Sequence, residues 1–215
     1  MRPERLVLVT GTGTAVGKTW AAAQLAAAWR ARGATVAARK PVQSFDPRAA
    51  GAAGAGATDA AVLAAATGED RHDVCPEHRW YPLPMAPPIA AGALGRPSFT
   101  VAELVGELRW PPGPPVHYGL VEGAGGPRSP LAADGDTVSL AGLLRPDHIV
   151  LVAGAGLGAI NAVRLAAAAF APQHPGVLLN RYQGTDPVHV ANLEWLRRHT
   201  DLAVATDIAE LLTRL

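Results

Sequence analysis

The chain has 215 residues, of which 49% are apolar and 17% charged, and its formal net charge is +1. This length suits one domain over residues 1–215 and is ample for a buried core. The near-balance of charge speaks against a general nucleic-acid binder, which shows a basic face, and against an acidic disordered chain. The longest run without a polar side chain, Ile149–Ile160, has 12 residues. A bilayer crossing needs about 20, so no membrane association is expected. The opening MRPERLVLVT carries no signal-peptide pattern, and the lone Cys75 cannot form an internal disulfide. Both point to a reducing, cytoplasmic setting. The 44 alanines are spread over the whole length and carry no functional signal.

In chain order, apolar runs alternate with longer amphipathic stretches. Leu6–Thr10 (LVLVT) predicts a buried strand stopped by Gly11. Lys18–Arg32 lacks Gly and Pro and predicts a helix ending at Gly33. Thr35–Lys40 predicts a second strand, and 41–58 a loop that includes the Ala/Gly run 49–57. Thr58-Asp59 is placed to cap a helix over Asp59–Thr67, whereas 68–98 is Pro-rich and reads as irregular. Thr100–Trp110 predicts a helix with Thr100 and Glu103 spaced as a capping box, broken by Pro111–Pro115. Further strands are expected at Tyr118–Val121, His148–Val152, Gly176–Asn180 and Ala203–Thr206. Helices are expected from about residue 161 to Phe170, over Asp186–His199 with Pro187 in the first turn, and at the C-terminus. Strands separated by helices imply right-handed crossovers. The fold class is therefore α/β: three layers, a mostly parallel sheet with helices on both faces.

The most informative segment is Gly11–Thr19, GTGTAVGKT, between a predicted strand and a predicted helix. Small residues let backbone N–H groups point into one concavity, and the helix start adds its positive dipole end. Lys18 would reach phosphate oxygens, and Thr19 would place a hydroxyl on Mg2+. The loop is one residue longer than GxxxxGK[ST], with Thr12 where that pattern has Gly. An incidental Gly-rich turn is the bland alternative. A phosphate loop indicates a nucleotide rather than a reaction. Partition-type scaffold ATPases carry a second lysine five residues before the loop lysine; here that position is Gly13.

Four more segments follow in order: Lys40-Pro41-Val42-Gln43-Ser44, Asp59 at a helix start, Glu122-Gly123-Ala124-Gly125-Gly126, and Gly156-Leu157-Gly158-Ala159-Ile160-Asn161. With GTGTAVGKT, this set resembles the dethiobiotin synthetase family over about residues 5–182. The resemblance implies an ATP-dependent ligase of biotin biosynthesis. One amine of 7,8-diaminononanoate takes up CO2, ATP phosphorylates the carbamate, and the second amine closes the ureido ring. Lys18 and Lys40 are then the implied catalytic residues. Nucleotide binding is implied for Thr14, Ala15, Val16, Gly17, Lys18, Thr19, Trp20, Asp59, Glu122, Gly123, Ala124, Gly125 and Asn180. Thr19, Asp59 and Glu122 would hold Mg2+. Substrate contacts are implied for Thr14, Lys40, Ser44, Gly156, Leu157, Gly158 and Asn161, the last four reaching across a homodimer interface. A solvent-exposed end of a strand for Lys40, a simple helix cap for Asp59 and a turn-forming role for Ser44 are the structural alternatives.

The chain departs from the family at Gly13 and Ala15, where an acidic pair is usual, and at Ala159 and Ala162, which replace Thr and His. Residues Ala203–Leu215 show no Pro-rich base-binding segment, so the nucleobase preference stays open. A diverged synthetase or related amidoligase acting on another small amine, and a partition-type scaffold ATPase, are the alternative readings. The seven histidines show no HxH or HxxxH spacing, so zinc is not expected. Trp20 is expected to pack under the loop or to touch ligand. Trp80, Tyr81 and Pro82–Pro88 either line a substrate tail or cover the core. Cys75 reads as a small semi-buried residue, and Arg197 and Arg198 as a solvated helix face.

Overall fold

The computed structural model describes residues 1–48 and 58–215; the Ala/Gly run 49–57, read above as loop, lies outside the described residues. The first half of the chain forms β1 (Arg5–Gly11), α1 (Lys18–Ala31), β2 (Val36–Arg39), β3 (Gln43–Ser44), α2 (Asp59–Thr67), α3 (Arg71–Val74), a 3-10 turn (Glu77–Arg79), β4 (Trp80–Tyr81), α4 (Pro87–Ala93) and α5 (Val101–Glu107). The second half forms β5 (Tyr118–Glu122), β6 (Pro130–Ala132), β7 (Gly135–Asp136), α6 (Thr137–Leu144), β8 (His148–Gly154), α7 (Ala159–Ala168), β9 (Gly176–Asn180), α8 (Pro187–His199), β10 (Val204–Ala205) and α9 (Ile208–Leu212).

Six strands make one parallel sheet in the order β10-β9-β8-β1-β5-β2. The continuous apolar reading of β1 follows from its central place. Val7 and Val9 face a core shared with α1 and α2, while Leu6 and Leu8 face Ala90, Leu104 and Leu140 of α4, α5 and α6. Leu151, Ala153 and Leu179 pack on Val163, Leu193 and Leu196 of α7 and α8. The expected three-layer α/β fold is therefore present. Strand β1 has β5 on one side and β8 on the other, so its carboxyl end is a switch point where the chain leaves toward both sides. Open α/β sheets bind ligands in such a crevice.

Local chemistry accounts for the helix ends. Thr58 caps α2 by accepting from the Ala61 N–H, Thr100 and Glu103 form the expected capping box, and Asp186 caps α8 ahead of Pro187. Four expectations are corrected. Helix α5 stops at Glu107 rather than Trp110: Leu108 is already extended, and Trp110 lies beyond the helix with its ring centre 5.0 Å from the Arg39 guanidinium. Residues 68–98 are not irregular: Asp70 caps α3, Pro87 opens α4, and β4 pairs in parallel with β3. Helix α6 was not anticipated, although Asp136 and Ser139 form a capping box at its start. Arg197 is not simply solvated; it donates to the Val204 carbonyl and pairs with Glu210 at 2.6 Å, tying α8 to β10 and α9. No helix among the described residues is long and apolar enough to cross a membrane.

Leu25 is fully buried on α1 beneath the central strands. Leu25→Ala should lower the unfolding free energy by about 2–5 kcal/mol in a denaturant titration, through lost burial and a residual cavity.

Candidate active site

The loop after β1 is closed by contacts that only small residues permit. A Cβ on Gly11 would lie 2.6 Å from Val16 Cγ2 and 2.9 Å from Lys18 Cγ. Gly17, at φ 99°, is the N-cap of α1, and no side chain caps that helix. Its first N–H groups are thus left for an anion. Asn180, at the end of β9, donates from Nδ2 to the Val16 carbonyl at 2.9 Å, and a Cβ on Gly17 would lie 2.1 Å from that same nitrogen. Lys18 lies back over the loop, its Nζ donating to the Gly13 carbonyl at 2.8 Å.

A second cluster sits beside this loop. Parallel pairing of β2 with β5 sets Arg39 opposite Val121, so the next residues, Lys40 and Glu122, emerge side by side. Lys40 Nζ donates to Glu122 Oε1 at 2.7 Å and to the Gly123 carbonyl at 2.9 Å, and pairs with Asp59 Oδ2 at 2.8 Å. Three acceptors satisfy its three N–H donors. Because Thr58 caps α2, the Asp59 carboxylate is released from that duty and reaches inward. Thr19 Oγ lies 2.9 Å from Asp59 Oδ1 and 3.0 Å from Glu122 Oε1. Lys40 is buried, not a solvent-exposed strand end.

The electrostatics follow from burial and pairing. Burial works against the Lys40 ammonium, but Asp59 and Glu122 outweigh it and raise its pKa above the usual lysine value. Lys18 is lowered, by burial first and then by Lys40. Burial alone would raise Asp59, yet the Lys40 charge holds its carboxyl below the usual range. Glu122 is raised by burial, with Lys40 opposing. The full set of donors at Lys40 identifies the pair as ammonium and carboxylate. Glu122 Oε2 is buried without a hydrogen-bond partner among the described residues. No group of three or more His, Cys, Asp or Glu among the described residues could hold a metal. The oxygen set Thr19, Asp59 and Glu122, with one carboxylate oxygen orphaned, is chemically matched to Mg2+, which takes further oxygens from phosphate and water.

A cavity of about 670 Å³ joins the two clusters and is lined by both Lys18 and Lys40. Of the residues anticipated from sequence, Thr14, Ala15, Gly17, Thr19, Trp20, Ser44, Asp59, Glu122, Ala124 and Gly125 also line it. Val16 and Asn180 brace the loop behind it, and Gly123 supplies a carbonyl to Lys40. Trp20 does not pack beneath the loop: it is 48% exposed and forms part of the cavity wall. The Ser44 hydroxyl donates to the Met85 carbonyl at 2.6 Å, joining β3 to the segment before α4. Gly156, Leu157, Gly158 and Asn161 do not line this cavity. They form the turn into α7, shaped by Asn192 Nδ2 donating to the Ala155 and Gly156 carbonyls at 2.9 and 2.8 Å, with Leu157 97% exposed. Pro84, Met85, Ala86 and Pro87, from the segment 82–88 read as lining a substrate tail or covering the core, line the cavity, whereas Trp80 and Tyr81 do not. Sequence reasoning missed Gln43, Phe45, Asp46, Ser129 and Arg181 as lining residues. Gln43 lay within a quoted motif, whereas Arg181 owes its place to a left-handed backbone, φ 59°, that nothing in its neighbours announces. Cys75 is fully buried and takes no part, its thiol pushed up to about 12 by burial.

Removing the Lys40 cation should leave two carboxylates facing each other in a buried site. Lys40→Met is expected to cost about 3 kcal/mol in chemical denaturation, and adding Glu122→Gln to recover part of that loss. Equal stability of Lys40→Met and wild type would show that the ammonium is not needed to balance this charge.

The comparisons with known proteins agree with this geometry. A family model described as an AAA domain matches residues 5–212. A Corynebacterium efficiens ATP-dependent dethiobiotin synthetase is 37% identical over 167 residues, 74% of this chain and 67% of that protein. The Caulobacter vibrioides enzyme of the same name is 41% identical over 156 residues, 71% of this chain and 67% of that one. The Corynebacterium diphtheriae enzyme is 30% identical over 207 residues, 96% of this chain and 82% of that one. Among solved structures, a plasmid partition protein from Borrelia burgdorferi aligns over 100% of this chain and 98% of its own, with TM-score 0.55 and 10% identity. The signal recognition particle receptor FtsY from Elizabethkingia anophelis aligns over 98% of this chain and 62% of its own, with TM-score 0.55 and 14% identity. These two likenesses are of fold alone. A phosphate-loop cavity with a buried lysine–carboxylate centre, on a chain this similar to those enzymes, places the protein in the dethiobiotin synthetase family.

Proposed function

We propose that the cavity binds Mg·ATP together with 7,8-diaminononanoate, and that the chain makes dethiobiotin, ADP and phosphate from them and CO2. The observation that carries this reading is the convergence of Lys18 and Lys40 on one cavity beside Thr19, Asp59 and Glu122. In the reaction one amine nitrogen attacks CO2 and gives up a proton, forming a carbamate. A carbamate oxygen then attacks the γ-phosphorus of ATP and ADP leaves. The second amine attacks the carbonyl carbon of the mixed anhydride and phosphate leaves. Each of these steps gathers negative charge at the reacting centre, so fixed cations and N–H donors placed beforehand stabilise it most.

Lys40 is suited to this because its ammonium is already oriented by three oxygen partners. Lys18 swings from the Gly13 carbonyl to phosphate oxygens at little cost, since one hydrogen bond replaces another. The backbone of Thr14, Ala15, Val16 and Gly17 cradles the phosphates, and Trp20, Gly123, Ala124 and Gly125 flank the nucleotide. Thr19, Asp59 and Glu122 would hold Mg2+, which when bound would supply positive charge opposite the phosphate oxygens. Asn180 spends one amide N–H on Val16 and keeps the other for a nucleobase. Thr14, Lys40 and Ser44 face the diamine.

The exposed turn Gly156–Gly158 lies away from the cavity of its own chain. Together with Asn161, it serves the carboxylate of a diamine bound by a second copy, so the working unit is a homodimer. A carboxylate at this turn suits the start of α7, where the helix N–H groups are uncapped by any side chain.

Phosphate release should require diaminononanoate, bicarbonate, Mg2+ and ATP together; release without the diamine at the same rate would sink the reading. Lys18→Ala and Lys40→Ala should each abolish diamine-dependent release in protein shown to be folded by circular dichroism. Gly17→Ala meets both the left-handed backbone and the Asn180 amide, and should weaken ATP binding by about tenfold or more in calorimetry.

A further inference from the structure

The residues lining the cavity fall into two chemical groups. One comprises the phosphate loop with Lys18 and Lys40; the other comprises Phe45, Pro84, Met85 and Pro87, an apolar wall that also holds Asp46. Three carboxylates line the cavity: Asp46, Asp59 and Glu122. Asp59 and Glu122 are committed to Lys40 and Thr19. Asp46 is half-buried, and Oδ1 accepts only the backbone N–H of Arg48, at 2.9 Å. Its carboxylate forms no ion pair and no other hydrogen bond among the described residues.

The segment carrying Asp46 is braced. The Phe45 N–H donates to the Tyr81 carbonyl at 3.0 Å, and the Phe45 ring meets Trp80 edge-on at 6.3 Å. One residue earlier, Ser44 is fastened to Met85 at 2.6 Å. Asp46 is therefore an uncommitted negative charge held at an apolar wall. Its cavity otherwise presents Lys18, Lys40 and Arg181, the last without an ion pair among the described residues.

We infer that Asp46 binds the ammonium group of the substrate diamine; this rests on the reading of the cavity given above. An amine that enters protonated meets like charge from the lysines, and Asp46 is the one lining carboxylate free to offset it. A charge-assisted hydrogen bond to Asp46 would hold that end while the methylene chain lies on Met85 and Phe45. Asp46 is thus a residue that selects for cationic, amine-bearing substrates.

The test is calorimetric titration of 7,8-diaminononanoate into wild-type protein and Asp46→Asn, with nonanoate, which has no amine, as the second probe. Asp46→Asn should bind the diamine about tenfold more weakly, bind nonanoate and ATP within about twofold of wild type, and be partly restored by Asp46→Glu. Unchanged diamine affinity in Asp46→Asn would overturn the inference, as would equal losses for nonanoate and ATP, which would mark a structural disturbance. A wild-type protein that binds the diamine but releases no phosphate would defeat the reaction assigned above and leave the role of Asp46 standing.

Discussion

A buried ammonium must be met by negative charge and a full set of acceptors, and the placement of Lys40 satisfies both demands. Its three partners come from separate stretches of chain: Glu122 and the Gly123 carbonyl at the end of β5, and Asp59 at the start of α2. The register of β2 on β5 brings Lys40 beside Glu122, and the Thr58 cap frees Asp59 to face them. Removing one charge from such a cluster would leave the others uncompensated in a low-dielectric setting. The parts of the fold that deliver these residues are therefore fixed by electrostatics as well as by packing.

The phosphate loop depends on a tie of a different kind. Asn180, from β9 two strands away from β1, closes the loop by holding the Val16 carbonyl, and the space it needs is the space a side chain on Gly17 would fill. The loop is thus shaped both by its own glycines and by a strand far along the chain. Thr19 then connects it to the Lys40 centre, since its hydroxyl lies within hydrogen-bond distance of both carboxylates. One threonine joins the phosphate-binding and charge-balancing halves of the site. The same cavity also carries a carboxylate, Asp46, that has no cation of its own among the described residues and stands against an apolar wall. Separating charges in this way suits a site that must accept an anionic nucleotide and a cationic amine side by side.

Much of this was legible beforehand where the signal is local. The continuous apolar run of β1, the capping box at Thr100 and Glu103, the cap and proline at Asp186 and Pro187, and the boundaries of α2 all rest on neighbours in sequence. Where a distant residue intervenes, local reading fails. Trp110 has helix-compatible neighbours but lies beyond α5, where its ring meets the Arg39 guanidinium. Arg197 looks like a surface arginine until β10 and α9 fold against it. Trp20 is a large apolar residue in a helix and so reads as buried, yet it is exposed and stands in the cavity wall. Helix α6 was overlooked because its capping signal, Asp136 to Ser139, sits among short strands and glycines.

By itself, then, the amino-acid order determined the alternating layers and the loop built to receive phosphate. These are set by hydrophobic periodicity and by short motifs whose chemistry is contained within a few residues. Only the tertiary structure decided that Asp59 points inward and leaves the cap to Thr58, that Asn180 is a brace for the loop, and that Asp46 and Arg181 belong to the same cavity as Lys40. Those outcomes depend on which side chains meet across the sheet and on where the backbone turns left-handed. Both are settled when distant segments compete for the same space and the same hydrogen-bond partners, and no window of adjacent residues contains that competition.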